Sequence, residues 1–567
     1  MLRSTLLAAI LLALGTAPGC GSECSDGDVR CSADGFELSA CEDGAWKVTR
    51  CMSDLGQLCE AGECVDPWRY GHPSWPTCAD EPHDAGVALS EKADRFDSLA
   101  SRVFVHPELK WLMGSLRLAP GASEGNATYD DVEQWYSGEN DGLWSALYLA
   151  SQAFRYATTK DPDALAMIEL LLEGEETRMD VTGVPGIFTR QYIPPGVSGI
   201  SCPAGFAPYR PDIEKDDNKW VRIGDDGCAM VAETSTDAWK KTEHCISPDF
   251  AGYCWLDNVS KDEYSGHMFA LGAVLKLVDD PAARATAADL LARVGRHFTS
   301  EGLRFRDWDG RVTEHGKLHP YTLDGFPGFH AAMDLAFVLM SAEASEDVGL
   351  RDIYDRCLLM SGGPVDCFDT GLIEVLPFLD HLATPGIYLG PKGCAGNWNN
   401  ISMHLLSLHN LIWFERDPVR RGRIQRSLDV DVMRAEGEPR ALIKQHNAFF
   451  DLIWAAQKQL GPESDGPAYD AVEDAVCMLR QFRPSEAVVD VPIAPEHNAP
   501  FCKDRFGDDA AEHAKEVYER CTTNFLWWAD PYDINSCQAV EQTFAAPTDF
   551  LLPYWMGRYY GFIGADS

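Results

Sequence analysis

Apolar positions along the chain recur with a helical period, and the helical segments come in pairs. In the segment 138–160, Leu143, Leu147, Ala150 and Phe154 fall on one face of a helix. A helical hairpin is therefore the predicted repeating unit. The predicted pairs are 138–160 with 162–179, 261–278 with 281–297, 329–340 with 350–360, 398–414 with a helix from 418, and 443–456 with 469–482; single helices are predicted over 85–103 and 549–560.

The two helices of a pair begin in different ways. Three second helices begin with Asp-Pro, at Asp161, Asp280 and Asp417. An aspartate accepts the free N–H groups of a first turn, and proline is favoured at the first helical position because its φ is already helical. The first helices instead begin with clusters of polar and aromatic residues, a difference that predicts a shared polar site where they start. These clusters are GEND with Trp144, LDNVSKDEY, YTLDGFPGF, GNWNN, KQHN and PTD.

The hairpins predict an all-α fold, an (α/α)6-type helical toroid in which one layer of helices lines the centre and the other wraps outside it. Five clear pairs and incomplete ones suit six hairpins. The inner helices would all run the same way, so their N-termini should meet at one mouth of the ring. The predicted domains are a lipoprotein-type signal peptide over 1–20, a cysteine-rich disulfide module over 21–65, a linker over 66–84 and the toroid over 85–567.

The N-terminus and the cysteines predict export. The first twenty residues contain one Arg, an apolar run too short to span a bilayer and small residues ending at Cys20. Cys20 is the predicted lipidation site of an outer-membrane or cell-surface lipoprotein, with cleavage near Gly19 and free secretion as the alternative. Of the 19 cysteines, setting Cys20 aside leaves an even number for disulfides. Three disulfides are predicted in the module, which is too poor in apolar residues to fold without them, among Cys24, Cys31, Cys41, Cys51, Cys59 and Cys64.

Two segments between the helices are predicted to be ordered. The long loop 181–255 carries Cys202, Cys228, Cys245 and Cys254, so two disulfides should pin it as a rim over the mouth. The segment 303–320 predicts a β-hairpin that turns at Asp309-Gly310. A third excursion near the C-terminus is predicted to be held by disulfides of its own, from Cys502, Cys521 and Cys537.

The residues at the predicted mouth suit a sugar. Carboxylates and amides bind hydroxyl groups, aromatic rings stack on pyranose faces, and two carboxylates that flank a glycosidic bond can act as acid and base. The net charge of −40 disfavours nucleic acid, because phosphate binding needs clustered Lys and Arg. The predicted catalytic residues are Asp141, Asp262, Glu263, His267 and Asp324, and the predicted substrate-binding residues are Asn140, Trp144, Asp257, Asn258, Trp398, Asn400, His404, His446 and Asn447.

Four segments carry a family resemblance: ENDGLWSALYLASQAFRYA, LDNVSKDEYSGHMFAL, DWDGRVTEHGKLHP and PTDFLLPYWMGRYYG. Over about 138–562 the chain resembles an exported bacterial family of helical-toroid proteins. In architecture it is similar to (α/α)6 glycan-active enzymes, including unsaturated glucuronyl hydrolases, whose catalytic aspartates stand at the mouth of the ring. The resemblance implies a glycoside hydrolase-like enzyme that acts on a polysaccharide or oligosaccharide.

Three alternatives stay open at the level of sequence. A polysaccharide lyase would need a base such as His267 or Tyr264 and cations to neutralise a uronate. A surface lipoprotein could bind a glycan without turnover, held at the membrane through Cys20. No cofactor is predicted, although Asp262, Glu263 and His267 with Asp141 could form an oxygen-rich site for calcium.

Overall fold

The computed structural model divides the chain into two compact units, Met1–Pro67 and Trp68–Ser567. The predicted signal peptide with Cys20, the linker 66–84 and Asp324 lie outside the described residues, so the predictions made for them stay predictions. The described residues are 24–31, 37–43, 45–50, 58–60, 62–65, 87–136, 138–203, 208–215, 218–233, 238–320, 327–368, 376–389, 394–435, 438, 440–458, 467–483, 485, 487–488, 491, 498–503, 509–511, 513–522, 525–534 and 542–565.

The first unit is built from short antiparallel strands. Strands β1 (Val29–Cys31), β2 (Glu37–Glu42) and β3 (Ala45–Arg50) form one sheet in that order, and β4 (Leu58–Glu60) pairs with β5 (Glu63–Val65). A disulfide joins Cys24 to Cys41 in β2. This bond is one of those predicted for the module, where covalent links replace a large apolar core.

Helices dominate the second unit. Among the residues that the structure describes, no helix is both long and apolar enough to cross a membrane. The helices are α1 (Leu89–Leu99), α2 (Asp141–Thr159), α3 (Pro162–Asp180), α4 (Lys261–Leu277), α5 (Pro281–Ser300), α6 (Pro327–Ser345), α7 (Val348–Asp352), α8 (Gly363–Cys367), α9 (Phe378–His381), α10 (Trp398–Phe414), α11 (Pro418–Arg426), α12 (Ala448–Lys458), α13 (Pro467–Arg480) and α14 (Thr548–Tyr559).

The Asp-Pro helix starts are confirmed. The side chain of Asp161 accepts a hydrogen bond from the N–H of Asp163 at 3.0 Å, and Pro162 is the first residue of α3. The caps of α5 and α11 are of the same kind, with Asp280 and Asp417 as acceptors. Each aspartate satisfies N–H groups that have no partner inside their own helix.

The helices pack in two layers. In one set, α2 contacts α4, α4 contacts α6, α6 contacts α10, α10 contacts α12, α12 contacts α14, and α14 contacts α2 again. Each member of this inner set also contacts one helix of an outer set, namely α3, α5, α7, α11, α13 or α1. All residues of α6 from Pro327 to Ala342 are buried, whereas α5 keeps an exposed stripe. Burial on every side is expected for a central helix and a single apolar stripe for an outer one.

The predicted long loop 181–255 contains a five-stranded sheet, which the all-α expectation leaves out. The sheet is antiparallel throughout, and its strands lie in the order β10 (Gln191–Ile193), β14 (Cys254–Leu256), β11 (Trp220–Ile223), β12 (Cys228–Ala232) and β13 (Trp239–Cys245). Strands β10 and β14 are three residues long and buried at every position, so they lack the alternation by which a strand is recognised. The two predicted disulfides are confirmed, as Cys202–Cys254 and Cys228–Cys245.

The remaining strands are short. The predicted hairpin over 303–320 is confirmed as β15 and β16, with Gly310 at its turn in the left-handed region at φ 79°. The strands of the second unit are β6 (Val105–His106), β7 (Trp111–Leu112), β8 (Ser115–Leu118), β9 (Val132–Trp135), β10 (Gln191–Ile193), β11 (Trp220–Ile223), β12 (Cys228–Ala232), β13 (Trp239–Cys245), β14 (Cys254–Leu256), β15 (Arg304–Arg306), β16 (Val312–Lys317), β17 (Asn498–Lys503), β18 (Asp509–Ala511) and β19 (Thr543–Ala545).

Helix α14 contains a proline that frees a carbonyl group. Pro553 has no N–H, so the carbonyl of Asp549, one turn earlier, cannot accept the usual helical hydrogen bond. The indole N–H of Trp527 donates to this oxygen instead, at 2.6 Å. A buried carbonyl is thereby satisfied from outside the helix, and the segment 526–528 is joined to the start of α14.

Candidate functional site

The N-termini of three inner helices meet at the carboxylate of Asp262. The amide of Asn140, at the start of α2, donates to Asp262 Oδ2 at 3.0 Å. The amide of Asn399, in the first turn of α10, donates to the same oxygen at 3.5 Å. Asp262 itself lies in the first turn of α4 and retains 8% of its accessible surface. Two neutral donors thus hold one carboxylate where three helices begin.

A cation at the start of α4 connects that helix to α6. The ammonium group of Lys261 lies 3.0 Å from Nε2 of His330 and 5.5 Å from the ring centre of Phe329, and both of these residues are in the first turn of α6. One turn further along α6, Asp334 is fully buried, and its burial raises its pKa well above the usual range against the opposing effect of Lys261. The start of α6 therefore lies at the same end of the helices as Asp262.

Aromatic rings join the two remaining helix starts. Phe525 lies 5.9 Å from Trp144 of α2 and 5.5 Å from Phe449 of α12, measured between ring centres. The next residue, Leu526, donates its N–H to the carboxylate of Asp549 in α14 at 3.4 Å. Trp528 packs edge-to-face on Trp144 at 5.3 Å. All six inner helices thus begin at one end of the unit, as their polar starts predict.

Beneath Asp262 lie two carboxyl groups that are completely buried. Burial is the main reason that the pKa of Asp141 is raised well above its usual range, and the nearby Glu263 raises it further. Burial likewise raises the pKa of Glu263, against the opposing influence of His267. The amide of Gln191 donates to Asp141 Oδ2 at 2.9 Å. These groups have no exposed surface, so they can influence a ligand at the mouth only through Asp262 or after a rearrangement.

A histidine and two residues of outer helix α3 complete the buried group. His267 Nδ1 lies 2.6 Å from Glu175 Oε2, and His267 Nε2 lies 3.5 Å from Glu263 Oε2. Burial opposes the charge of His267, but the two glutamates outweigh burial and raise its pKa. Burial also opposes the charge of Glu175, yet its pKa is lowered, because His267 and Arg178 stabilise the anion.

Two glycines permit this close approach of α2 and α4. A Cβ on Gly142 would lie 2.2 Å from Glu263 Oε2, and a Cβ on Gly266 would lie 2.4 Å from Leu143 Cδ1. Both distances are far below van der Waals contact. The absence of a side chain at Gly142 therefore provides the space that the carboxyl group of Glu263 occupies.

Arg190, which precedes β10, fixes the amide that holds Asp262. Its guanidinium donates to the carbonyls of Asn258 and Glu139, at 2.9 and 2.8 Å, and to Oδ1 of Asn140 at 2.9 Å. Since Oδ1 of Asn140 accepts from Arg190, its Nδ2 must face Asp262. Asn258, with φ at 61°, takes the left-handed conformation in the turn that precedes α4. Its side chain accepts from the N–H of Glu314, so here it serves the rim rather than the mouth.

Asp257 belongs to a separate ionic network. Its carboxylate lies 2.7 Å from Lys215 Nζ and accepts the indole N–H of Trp308 at 3.1 Å. Lys215 also contacts Asp307 and Asp309, at 2.7 and 3.4 Å. Burial opposes the charge of Lys215, but the three aspartates outweigh burial and raise its pKa. With these partners Asp257 is fully engaged inside the rim, so the substrate-binding role predicted for it has no support in its position.

Trp398, Asn400 and His404 all lie in α10. The indole of Trp398 donates to Gln445 at 3.1 Å, and the backbone N–H of Asn400 donates to the capping side chain of Asn397 at 3.3 Å. His404 is two turns into the helix and completely buried, and burial lowers its pKa to about 3, which leaves the imidazole neutral. Only Trp398 and Asn400 are therefore at the end where Asp262 lies.

His446 and Asn447 precede α12 and are occupied by protein partners. His446 Nδ1 lies 2.9 Å from Asp474 Oδ1 of α13. The amide of Asn447 donates to the carbonyl of Trp527 at 3.1 Å, and its oxygen caps α12 by accepting from Phe450. Within the described residues no group of three or more His, Cys, Asp or Glu side chains is arranged to hold a metal ion, and the calcium alternative stays a prediction.

Comparison with solved structures finds similar arrangements in glycan-active proteins. An inactive variant of the alpha-1,6-mannanase GH76A of Salegentibacter sp. HEL1_6, in complex with alpha-1,6-mannotriose, matches at 10% identity and a TM-score of 0.37 and covers 84% of this chain and 100% of its own. The family 76 glycoside hydrolase (mannosidase) Bt3792 from Bacteroides thetaiotaomicron VPI-5482 matches at 9% identity and a TM-score of 0.36, covering 83% and 98%.

An unsaturated glucuronyl hydrolase specific for heparin matches at 10% identity and a TM-score of 0.34, covering 83% of this chain and 96% of its own. Unsaturated glucuronyl hydrolases are also among the enzymes to which the sequence was likened. No family model and no curated protein sequence matches the chain.

Four residues of the site were not predicted from the sequence. Asn399 belongs to the GNWNN cluster at the start of α10, from which only Trp398 and Asn400 were taken as site residues. Arg190 is a single polar residue in a loop, where many such residues are solvated.

Glu175 and Arg178 belong to an outer helix, but they continue the spacing of its buried residues, which runs from Ile168 through 171 and 172. Charged residues on the buried face of an amphipathic helix are a pattern that could have revealed them.

Proposed function

We propose that this chain is an exported carbohydrate-active enzyme that hydrolyses a glycosidic bond at the mouth of an (α/α)6-type toroid, with Asp262 as the carboxylate that faces the substrate. The observation that carries the proposal is the position of Asp262, where α2, α4 and α10 begin and where it is held by amides rather than by a cation. Asp262 retains 8% of its accessible surface at this point, so its carboxylate can reach a bound ligand.

The surroundings of Asp262 favour a sugar over a charged polymer. Asn140 and Asn399 are partly exposed amides, and Trp144 with the half-buried Trp528 forms an aromatic surface at the same end. Amide groups bind hydroxyls, and aromatic faces cover the apolar faces of a pyranose ring. The inner-helix starts thus combine the two kinds of contact that a sugar offers.

Hydrolysis needs a proton donor as well as a base. Water adds its hydroxyl group to the anomeric carbon, the glycosidic C–O bond breaks, and the leaving oxygen takes a proton. In the proposal Asp262 either accepts the proton of the attacking water or attacks directly. The proton donor proposed from the sequence is Asp324, which precedes α6 in the chain, and Glu263 and Asp141 lie below Asp262 as buried acids.

The experiment compares wild-type protein with Asp262→Asn on a panel of neutral and acidic oligosaccharides that includes mannosides. Loss of general acid–base action is expected to reduce turnover by about 10²- to 10⁴-fold without changing the melting temperature. Asp289→Asn, the same substitution at an exposed position of the outer helix α5, is the matched control. Unchanged turnover in Asp262→Asn would overturn the assignment.

The products separate the alternative activities. A hydrolase forms only new reducing ends, whereas a lyase forms an unsaturated uronate that absorbs ultraviolet light. A binding protein would bind sugars in a calorimetric titration and would form no product on prolonged incubation. Either of these two outcomes would replace the hydrolase proposal.

We further propose that the chain is a lipoprotein anchored through Cys20 in an outer membrane or at the cell surface. The disulfides in both units support export, because such bonds persist in oxidising compartments. Metabolic labelling with a fatty acid tests the anchor. Incorporation of label is expected in the wild type and should vanish in Cys20→Ser, and an unlabelled wild-type protein in the culture medium would indicate free secretion.

A further inference from the structure

An outer helix contributes ionisable groups to the interior beneath the mouth. Glu175 and Arg178 belong to α3, which wraps around α2, yet both side chains are completely buried, at 2% and 0% exposure. The carboxylate of Glu175 contacts His267 at 2.6 Å and lies 3.5 Å from Arg178 Nε. Charges are costly to bury unless they are paired, so this cluster has to balance its own charge.

Burial makes the carboxyl groups next to this cluster hard to ionise. The pKa of Asp141 is raised by burial and by the nearby Glu263. The pKa of Glu263 is raised by burial, against the opposing influence of His267, Arg190 and Arg178. His267, whose Nε2 lies 3.5 Å from Glu263 Oε2, therefore acts directly on the ionisation of Glu263.

The position of His267 is fixed from both sides. Its ring stacks on Phe188, with 4.2 Å between ring centres, and its two nitrogens face Glu175 and Glu263. The ring therefore cannot turn away from either glutamate without losing its stacking partner. Glu263 follows Asp262 directly in the first turn of α4, so a displacement of Glu263 moves the backbone that carries Asp262.

We propose that Glu175 is a positioning residue that keeps His267 charged and oriented toward Glu263, beneath Asp262. Its role toward Asp262 rests on the proposed function, whereas its effect on His267 does not. Glu175 of the outer helix α3 would then fix the charge of His267 in the inner helix α4, through a single buried contact.

The test is the isosteric variant Glu175→Gln, followed by NMR titration of the histidine side chains, with His267→Gln used to assign the resonance. Removal of the anion leaves burial dominant, so the His267 midpoint is expected to fall by about 1–3 units. Glu173→Gln, on the exposed face of the same helix and paired with Lys110, is the matched control and should leave the midpoint unchanged. An unchanged His267 midpoint in Glu175→Gln would overturn the proposal.

A second variant keeps the test meaningful if Glu175→Gln is unstable. Glu175→Asp retains the charge and is expected to keep the midpoint within about 1 unit of the wild-type value. If Glu175→Asp instead lowers the midpoint as far as the glutamine variant does, charge is not the cause and the proposal is wrong.

Activity gives an independent readout. On a substrate that the wild type cleaves, Glu175→Gln is expected to shift the pH profile of kcat, while KM changes little. A merely structural role would lower kcat equally at all pH values, and that result would contradict the proposal. If no glycan is cleaved but the His267 midpoint moves as expected, the proposed function fails while the role of Glu175 toward His267 stands.

Discussion

Two acidic clusters lie side by side in this protein, and they are built on opposite principles. Asp257 and Asp262 are five residues apart, but Asp257 is bound to Lys215 inside a network of aspartates, whereas Asp262 is held by the amides of Asn140 and Asn399. A carboxylate neutralised by a buried ammonium group stabilises the fold. A carboxylate that is held by neutral donors remains available to a ligand. The type of partner therefore distinguishes Asp257, which stabilises the fold, from Asp262, which is proposed to act on a substrate.

The largest expected effect on stability comes from Lys215→Met. This change removes the ammonium group that contacts both Asp257 and Asp307, and leaves the two carboxylates without it in a buried site. Breaking one side of a buried ion pair costs about 3–5 kcal/mol. Urea denaturation of the intact protein measures the loss. Lys241→Met, whose partner Asp226 is exposed, is the control and should change stability by less than about 1 kcal/mol.

The contrast between the two aspartates is tested directly by two matched variants. Asp257→Asn is expected to lower the free energy of unfolding by about 2 kcal/mol, because a charge-assisted hydrogen bond is lost in a buried site. Asp262→Asn should change it by less than about 1 kcal/mol, since an amide oxygen can still accept from its neighbours. Equal losses in the two variants would remove the distinction between the clusters.

Gly142→Ala tests how tightly the buried acids are packed. The new Cβ would collide with Glu263 Oε2, and overpacking of a core typically costs about 1–3 kcal/mol. Gly422→Ala, in α11 with open space around the new carbon, is the control and should be neutral or stabilising by about 1 kcal/mol. Thermal unfolding compares the two variants, and similar melting temperatures would contradict the steric argument.

The smallest expected effect is a pH dependence from His446. Burial opposes its charge, but Asp474 and Glu516 outweigh burial and Arg520, and its pKa rises to about 8. A raised pKa stabilises the fold fully below the unfolded value of about 6.5, and this contribution of about 1–2 kcal/mol is lost as pH rises through 8. In His446→Gln the stability difference between pH 6 and pH 9 should shrink by that amount. An unchanged difference would show that folding does not shift the pKa of His446.

The periodic parts of the fold were accessible from sequence. The Asp-Pro caps and the apolar spacing predicted the hairpins, since both depend only on residues within one or two turns. The sheet in 181–255 was missed because β10 and β14 are too short and too buried to alternate. The prediction of Asp262 rested on the acidic start of α4, because acidic residues there are stabilised by the free N–H groups of the first turn.

The partners of the predicted residues could not be read from spacing. Lys215 meets Asp257 across 42 residues, and Glu175 meets His267 across 92, by contacts that depend on how elements pack. For this reason Asp257 and Asp262 look alike in the sequence and differ in the structure. Only the tertiary contacts show which acid is compensated by a cation.

The proline in α14 has a consequence for how the C-terminal excursion finds its place. Pro553 leaves the carbonyl of Asp549 without a helical partner, and the indole of Trp527 occupies it. The excursion is therefore held by a backbone carbonyl that the proline leaves unpaired, and changes of side chains on the surface of α14 would not remove that acceptor. A missing hydrogen bond inside one helix thus provides the attachment point for another part of the chain.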